Sequence, residues 1–281
     1  MITELLQYHL FVNALWAAVF AGIACGIIGT YIVSNRIVFL SGGITHSSFG
    51  GIGVGYYLGI NPILGAAIFS VLSALGIEFF SKKGEVRYDS MIGIWWSLGM
   101  AIGIIFIYLT PGYAPNLMTY LFGSILTVST TDLIFMAVLT VIIILFFIFF
   151  YHTILFISFD ESYARVFGLP VDAMKNILIS LVALTIVINI KVVGIILLIS
   201  LLTIPQAIAN HFTSTFEKMI YYSTLTAFVG LFSGLLFSYY LDIPSGASII
   251  FALVVLLGLV KLAFYLIFNV FNLNIQRSEN N

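Results

Sequence analysis

Charge is what this 281-residue sequence has least of, with 10 Lys and Arg and 11 Asp and Glu making 7% of the chain. A soluble domain carries roughly a quarter charged residues, because its surface must be wetted. Apolar residues reach 62% here, and the mean hydropathy is +1.18. Only lipid suits such a surface, so the sequence reads as an all-α polytopic membrane protein. A net charge of −1 leaves no basic field to hold nucleic acid. The one cysteine, Cys25, lies in an apolar run, which excludes an internal disulfide and a cysteine-built zinc site. No basic residue precedes the first apolar run, so the N-terminus does not read as a cleaved signal peptide. A Walker phosphate loop needs Lys followed by Ser or Thr. None of the lysines at 82, 83, 175, 191, 218 and 261 has that neighbour. The chain is therefore expected to be no enzyme and to hold no cofactor.

What is present is a series of long apolar runs. A helix needs about 20 apolar residues to cross the hydrocarbon core, and candidates cover 11–33, 44–60, 62–80, 91–109, 132–152, 176–190, 192–209, 219–240 and 247–269. Because Lys191 alone separates two of them, the count is eight or nine transmembrane helices. Arg36, the trio Lys82, Lys83 and Arg87, the pair Arg165 and Lys175, and Lys218 fall in alternate loops. Loops 110–117 and 241–246 hold no Lys or Arg. Positive charge stays inside, which places the N-terminus outside and the tail from Arg277 inside, with Lys191 as the exception. Glycines recur at four-residue spacing: Gly22 and Gly26, Gly51, Gly55 and Gly59, Gly99 and Gly103, Gly230 and Gly234. In lipid such stripes let helix backbones approach closely, within the chain or along a dimer seam. Residues 1–281 read as a single membrane unit with no linker.

The longest cytoplasmic insertion, 157–175, carries its own pattern. Ser158 suits a helix start, Asp160 and Glu161 suit its positive end, and Gly168 with Pro170 stops it. Phe159, Tyr163 and Phe167 form an aromatic stripe, with Arg165 as the lone cation. A capped amphipathic helix of this kind fits a docking knob for a cytoplasmic partner better than a lipid-surface helix, which would be more basic.

Here the sequence resembles a family. Phe159, Asp160, Ala164, Gly168 and Leu169 match the ATPase-coupling helix of bacterial and archaeal ABC permeases that import zinc, manganese or iron. Four further blocks are similar to that family: 33–46 ending in His46, 120–126, 192–207 and 238–246. Together they span 11–269. The resemblance implies the permease fold shared with cobalamin and siderophore permeases, multi-pass in the cytoplasmic or inner membrane. It implies a homodimer, a partner ATPase docked at about 159–169, and an extracellular or periplasmic metal-binding protein that delivers the ion. ATP hydrolysis would belong to the ATPase, and the metal would be cargo. One position departs: Gly42 stands where many members carry an acidic residue four places before the His. The tetrad Leu40-Ser-Gly-Gly43 looks like part of an ABC ATPase signature, but Ile44 replaces the Gln and the match is coincidence.

Ionisable groups in lipid are functional candidates. His46 offers imidazole, which transition metals accept, or is a histidine bonded to nearby backbone. Asp242, in an outer loop free of Lys and Arg, offers a hard carboxylate to a divalent cation, or caps a turn. They read as separate stations, His46 nearer the inner face and Asp242 at the outer one. Asp89 and Asp132 read as helix caps, Glu78 and Lys82 as an ordinary helix pair, and Asn13 and Asn189 as helix–helix hydrogen-bond partners. His9, His152 and His211 sit at span edges. Rival readings are an ABC permease for a metal chelate, an ion-driven secondary transporter, which needs acids deep in the spans, and a membrane scaffold.

Overall fold

The structure, a computed structural model, describes residues 9–279 apart from 83, 85, 112–122, 124, 126 and 127. Lys83, the loop 112–117 and most of the 120–126 block therefore lie outside the described residues. The described residues form twelve helices: α1 (His9–Ser34), α2 (Val38–Leu58), α3 (Pro62–Lys82), α4 (Tyr88–Leu109), α5 (Thr130–Phe149), α6 (Tyr151–Phe159), α7 (Glu161–Val166), α8 (Val171–Val193), α9 (Ile195–Leu201), α10 (Ile204–Ala209), α11 (Phe216–Leu241) and α12 (Ser245–Glu279). Seven of them, all the long ones except α2, are apolar enough to cross a bilayer. Helix α2 has the length, about 30 Å at 1.5 Å per residue, but is diluted by Gly, Ser, Thr and His46. It is sheltered instead, with fourteen of its residues buried among α3, α4 and α8. A membrane helix that shows lipid little of itself is free to be polar.

The second of the two spans flanking Lys191 is broken. Helix α8 ends at Gly194, whose φ of 82° and ψ of 160° only glycine adopts without strain. The chain then runs through the short α9 and α10, separated at Thr203, with Pro205 in the first turn of α10. Pairing across the bundle shows that this piece still crosses. Lys191, before it, reaches Asp132 at the start of α5. Ser214, after it, lies with Ser34, Asn35 and Ser158 at the opposite end. Eight continuous long helices and one broken crossing account for the eight or nine spans.

Packing explains the glycine stripes. A methyl built on Gly26 would lie 2.8 Å from Thr224 Cα on α11, one on Gly99 would lie 2.5 Å from Ser47 Cα, and one on Gly51 would lie 2.6 Å from Ala66 Cα. Gly234 meets Ile249 of α12 in the same way, at 2.8 Å from its backbone nitrogen. Gly59 differs, since it ends α2 in the left-handed conformation at φ 68° with nothing beside it. The other stripes join helices of one chain.

Several sequence-based expectations are corrected by local geometry. Asp160, rather than Ser158, caps α7 by accepting the Tyr163 N–H at 2.9 Å, and Ser158 instead accepts a hydrogen bond from Asn35 at 3.1 Å. Asp89 lies in the first turn of α4 after the cap position, Arg87. Asp132 completes a capping box with Ser129 and also takes Lys191 on both carboxylate oxygens, at 2.9 and 2.8 Å. The exceptional outer lysine is thus neutralised. Asn13 does bridge elements, donating to the Val128 carbonyl at 3.1 Å. Asn189, among the described residues, bonds only within its own helix, donating to the Thr185 carbonyl at 2.7 Å.

Candidate functional site

Helix α2 starts at Val38, so His46 is eight residues in, about 12 Å along the axis and more than two turns deep. The expected span began near 44 and put His46 at its mouth. The earlier start arises because Val38–Gly43 is helical and buried from Leu40 onward. The imidazole lies flat on the indole of Trp96 from α4, with ring centroids 4.2 Å apart and planes 6° from parallel. Phe39 also packs against Trp96, with ring centroids 6.2 Å apart. Among the described residues no hydrogen bond reaches either ring nitrogen of His46. The backbone-bonded reading of this histidine therefore finds no partner. The ring is half-buried, oriented by stacking, and keeps both nitrogens for something else. Gly42, one turn earlier on the same face, would place a Cβ no closer than 4.0 Å to Trp96, so a Cβ meets no clash there.

Asp242 ends α11 in the left-handed region, at φ 52° and ψ 44°. Its backbone N–H bonds the Ser238 carbonyl, and Ser238 Oγ donates to the Ile243 carbonyl at 2.7 Å, closing the turn into α12. Asp tolerates this conformation better than most residues, so the backbone role is real, while the carboxylate is exposed. Helix α2 packs on α3, α4 and α8, whereas α11 packs on α1, α10 and α12. His46 and Asp242 thus belong to different parts of the bundle. No cluster of three or more His, Cys, Asp and Glu exists among the described residues.

At the end of the bundle opposite the Lys191–Asp132 pair, α7 stands out as a knob. Phe159 is 80% exposed, Val166 85% and Phe167 66%, with the Tyr163 ring 4.8 Å from Phe167 and tilted 44° to it. Gly168 turns the chain at φ 76°, and the N–H groups of Gly168 and Leu169 close the helix on the carbonyls of Arg165 and Ala164. Glu161 and Arg165 pair with the charges of α8. Arg165 forks onto both oxygens of Asp172, at 3.1 and 2.6 Å, and reaches Glu161 at 2.9 Å. Lys175 donates to Glu161 at 2.8 Å. Partial burial alone would raise the Glu161 pKa, but the bonds from Lys175 and Arg165 outweigh it and hold the carboxyl below its ordinary range. Hydrogen bonds to Asp172 first and Glu161 second push the Arg165 guanidinium further up.

The sequence-derived knob residues therefore do assemble, as an exposed apolar face on Phe159, Tyr163 and Phe167 and a charged face on Glu161 and Arg165. Asp160 and Gly168 cap its two ends. Trp96, Glu78, Asp172 and Lys175 were not singled out as site residues. Trp96 left no signal, since a tryptophan in an apolar run reads as lipid-facing. The charges left one: three opposite-sign pairs three or four residues apart, on three helices, each unremarkable alone.

A model of the ABC 3 transport family matches residues 7–264. An uncharacterized membrane protein of Synechocystis is 43% identical over 88% of this chain and 88% of its own length. The manganese transport system membrane protein MntC of Halalkalibacterium halodurans is 33% identical, over 88% and 85%. Among solved structures, PsaBC from Streptococcus pneumoniae in complex with Fab includes a chain 29% identical, with a TM-score of 0.82, covering 92% of this chain and 95% of that one.

Proposed function

The chain belongs to the ABC 3 transport family, and from that premise we propose how its parts divide the work of importing a divalent transition metal. It is the multi-pass permease subunit of an ABC importer in the cell membrane, itself no enzyme, working with an ATP-hydrolysing subunit and a substrate-binding protein. Zinc, manganese and iron are the cargo class, supported by the manganese transport name of a relative over most of the chain. Residues 1–281 act as one permease domain. Two copies pair, and the ion passes between them. In this reading the face of α2 bearing Gly42 and His46, with Trp96 of α4 stacked against it, looks onto that path. Helix α7, within 159–169, is the coupling helix that seats in the ATPase, with Phe159, Tyr163 and Phe167 as its contact face.

The observation that carries the reading of the path is the His46 ring, aligned by Trp96 with both nitrogens unpartnered. Neutral imidazole binds transition metals through one nitrogen. A conducting site must also release its ion, and an imidazole outside any cluster of three or more ligands among the described residues suits passage better than storage. Asp242, exposed at the other end of the bundle, attracts cations at the entrance. Radiometal uptake into vesicles, with the binding protein supplied, tests both residues. His46→Ala is expected to lower the maximal rate with the ATPase still assembled. Asp242→Asn is expected to raise the metal concentration needed for half-maximal uptake. Gly42→Asp, which adds a carboxylate one turn from His46, should change the preference among the three metals. Wild-type uptake across the concentration range in both His46→Ala and Asp242→Asn would return these residues to structural roles.

A further inference from the structure

Six charged side chains at the α7 end of the bundle close into a ring. Glu78 lies 3.3 Å from Lys82, Lys82 2.7 Å from Asp172, and Asp172 2.6 Å from Arg165. Arg165 lies 2.9 Å from Glu161, Glu161 2.8 Å from Lys175, and Lys175 3.3 Å from Glu78 again. Acid and base alternate all the way round, so every member has two partners of opposite sign. Each of three helices contributes one acid and one base: Glu78 and Lys82 from α3, Glu161 and Arg165 from α7, Asp172 and Lys175 from α8. Glu78 is buried, and it is the residue that a lone helix pair with Lys82 would leave underused.

We propose that this ring is the linkage that makes α7 move as one body with α3 and α8, so that displacement of α7 by the ATPase reaches α2 and His46. The inference rests on the importer reading above and adds the residues that transmit the movement. Three observations support it. Helix α7 packs on α6 and α8, its neighbours in sequence, and its charged side chains reach α3 by way of Asp172 and Lys175 of α8, which pair with Lys82 and Glu78. Between Glu161 of α7 and the bundle lies a cavity of about 270 Å³ lined by Glu78, Glu161 and Lys175 together with Ile37, Ile157 and Ile179, so side-chain packing does not fill that gap. Beyond the ring, α3 is locked to α2 where Gly51 and Gly65 bring their backbones together. A push on α7 therefore has a route of paired charges followed by close-packed backbone. An isolated exposed ion pair does little. In a ring, loss of one member leaves both its neighbours unbalanced, and one of them is the buried Glu78 when Lys82 or Lys175 is removed. Glu78, Lys82, Glu161, Arg165, Asp172 and Lys175 are positioning residues, since none touches the ion.

The test is made on the transporter reconstituted in proteoliposomes with its ATPase and binding protein, with metal uptake and ATP hydrolysis read from the same vesicles. Asp172→Asn and Lys82→Met, both at the exposed side of the ring, are expected to lower ions imported per ATP hydrolysed by roughly tenfold. ATPase co-purification should persist. Lys82→Arg, which keeps the charge, should hold the wild-type ratio. Because the ring works as a unit, Asp172→Asn combined with Lys82→Met should do no more harm than either alone. Independently of transport, hydrogen exchange should show amides 163–169 opening faster in Asp172→Asn while the interior of α8 stays protected. Wild-type uptake per ATP in both neutral variants, or unchanged exchange in α7, overturns the proposal. Absence of ATP-driven metal uptake by the unaltered chain would overturn the importer reading instead, and the exchange measurement would still decide whether the ring holds α7.

Discussion

At the scale of single residues, the decisive feature is which atoms remain without a partner. His46 is held by a ring face rather than by hydrogen bonds, so its nitrogens stay available. Gly168 illustrates the opposite case, a residue chosen for its backbone alone. Nothing lies within 4 Å of a methyl built there, yet φ is 76°. A β-branched side chain in that conformation is disfavoured by about 1–2 kcal/mol, with no steric neighbour to share the blame. Gly168→Val should therefore leave membrane insertion intact and loosen the end of α7, lowering uptake per ATP. Gly168→Asn, which accepts the left-handed region more readily, should restore most of it. Equal uptake in the valine and asparagine variants would show that the turn does not matter to coupling.

At the scale of elements, helices in lipid associate by close approach, because lipid tails are as apolar as the side chains they would replace. The glycine stripes therefore act as the contact surfaces between specific helix pairs, and their value depends on what faces each glycine. Gly26 faces the backbone of Thr224 on α11, whereas Gly93 on α4 faces nothing within 4 Å. Gly26→Val should push α1 away from α11 and destabilise the protein by about 1–3 kcal/mol, the usual range for overpacking. Gly93→Val should be near neutral. Thermal unfolding of the two variants in the same detergent separates them. If Gly26→Val melts with the wild type, the α1–α11 contact is not as close as drawn here.

At the scale of the whole molecule, the broken α9–α10 crossing sets the parity of the bundle and therefore which ends share a side. With that crossing included, α7 and the α11–α12 turn lie on opposite faces of the membrane. Positive charge stays inside, so α7 is expected on the cytoplasmic side and Asp242 on the outer one. Single cysteines at Ser162 and Ile243 give the check, since both positions are exposed and the native Cys25 is buried. An impermeant thiol reagent should label Ile243→Cys in intact cells and Ser162→Cys only after permeabilisation. Labelling of Ser162→Cys from outside would invert the topology and remove α7 from the ATPase side.

Much of this was determined by the sequence alone. Composition fixes the solvent, run length fixes most of the spans, and the cap and stop residues around 159–170 locate the knob, because each depends on neighbours a few residues away. The tertiary structure decided what depends on distant partners. Lys191 needed Asp132, 59 residues earlier, before its outer position made sense. Helix α2 needed three neighbouring helices to be long despite its polar residues. His46 needed Trp96, on a different helix, to orient its ring. Glu78 looked like one half of a local pair until Lys175 arrived from α8 and closed the ring. Local propensity is written in adjacent residues, but pairing across helices is set by how the bundle folds.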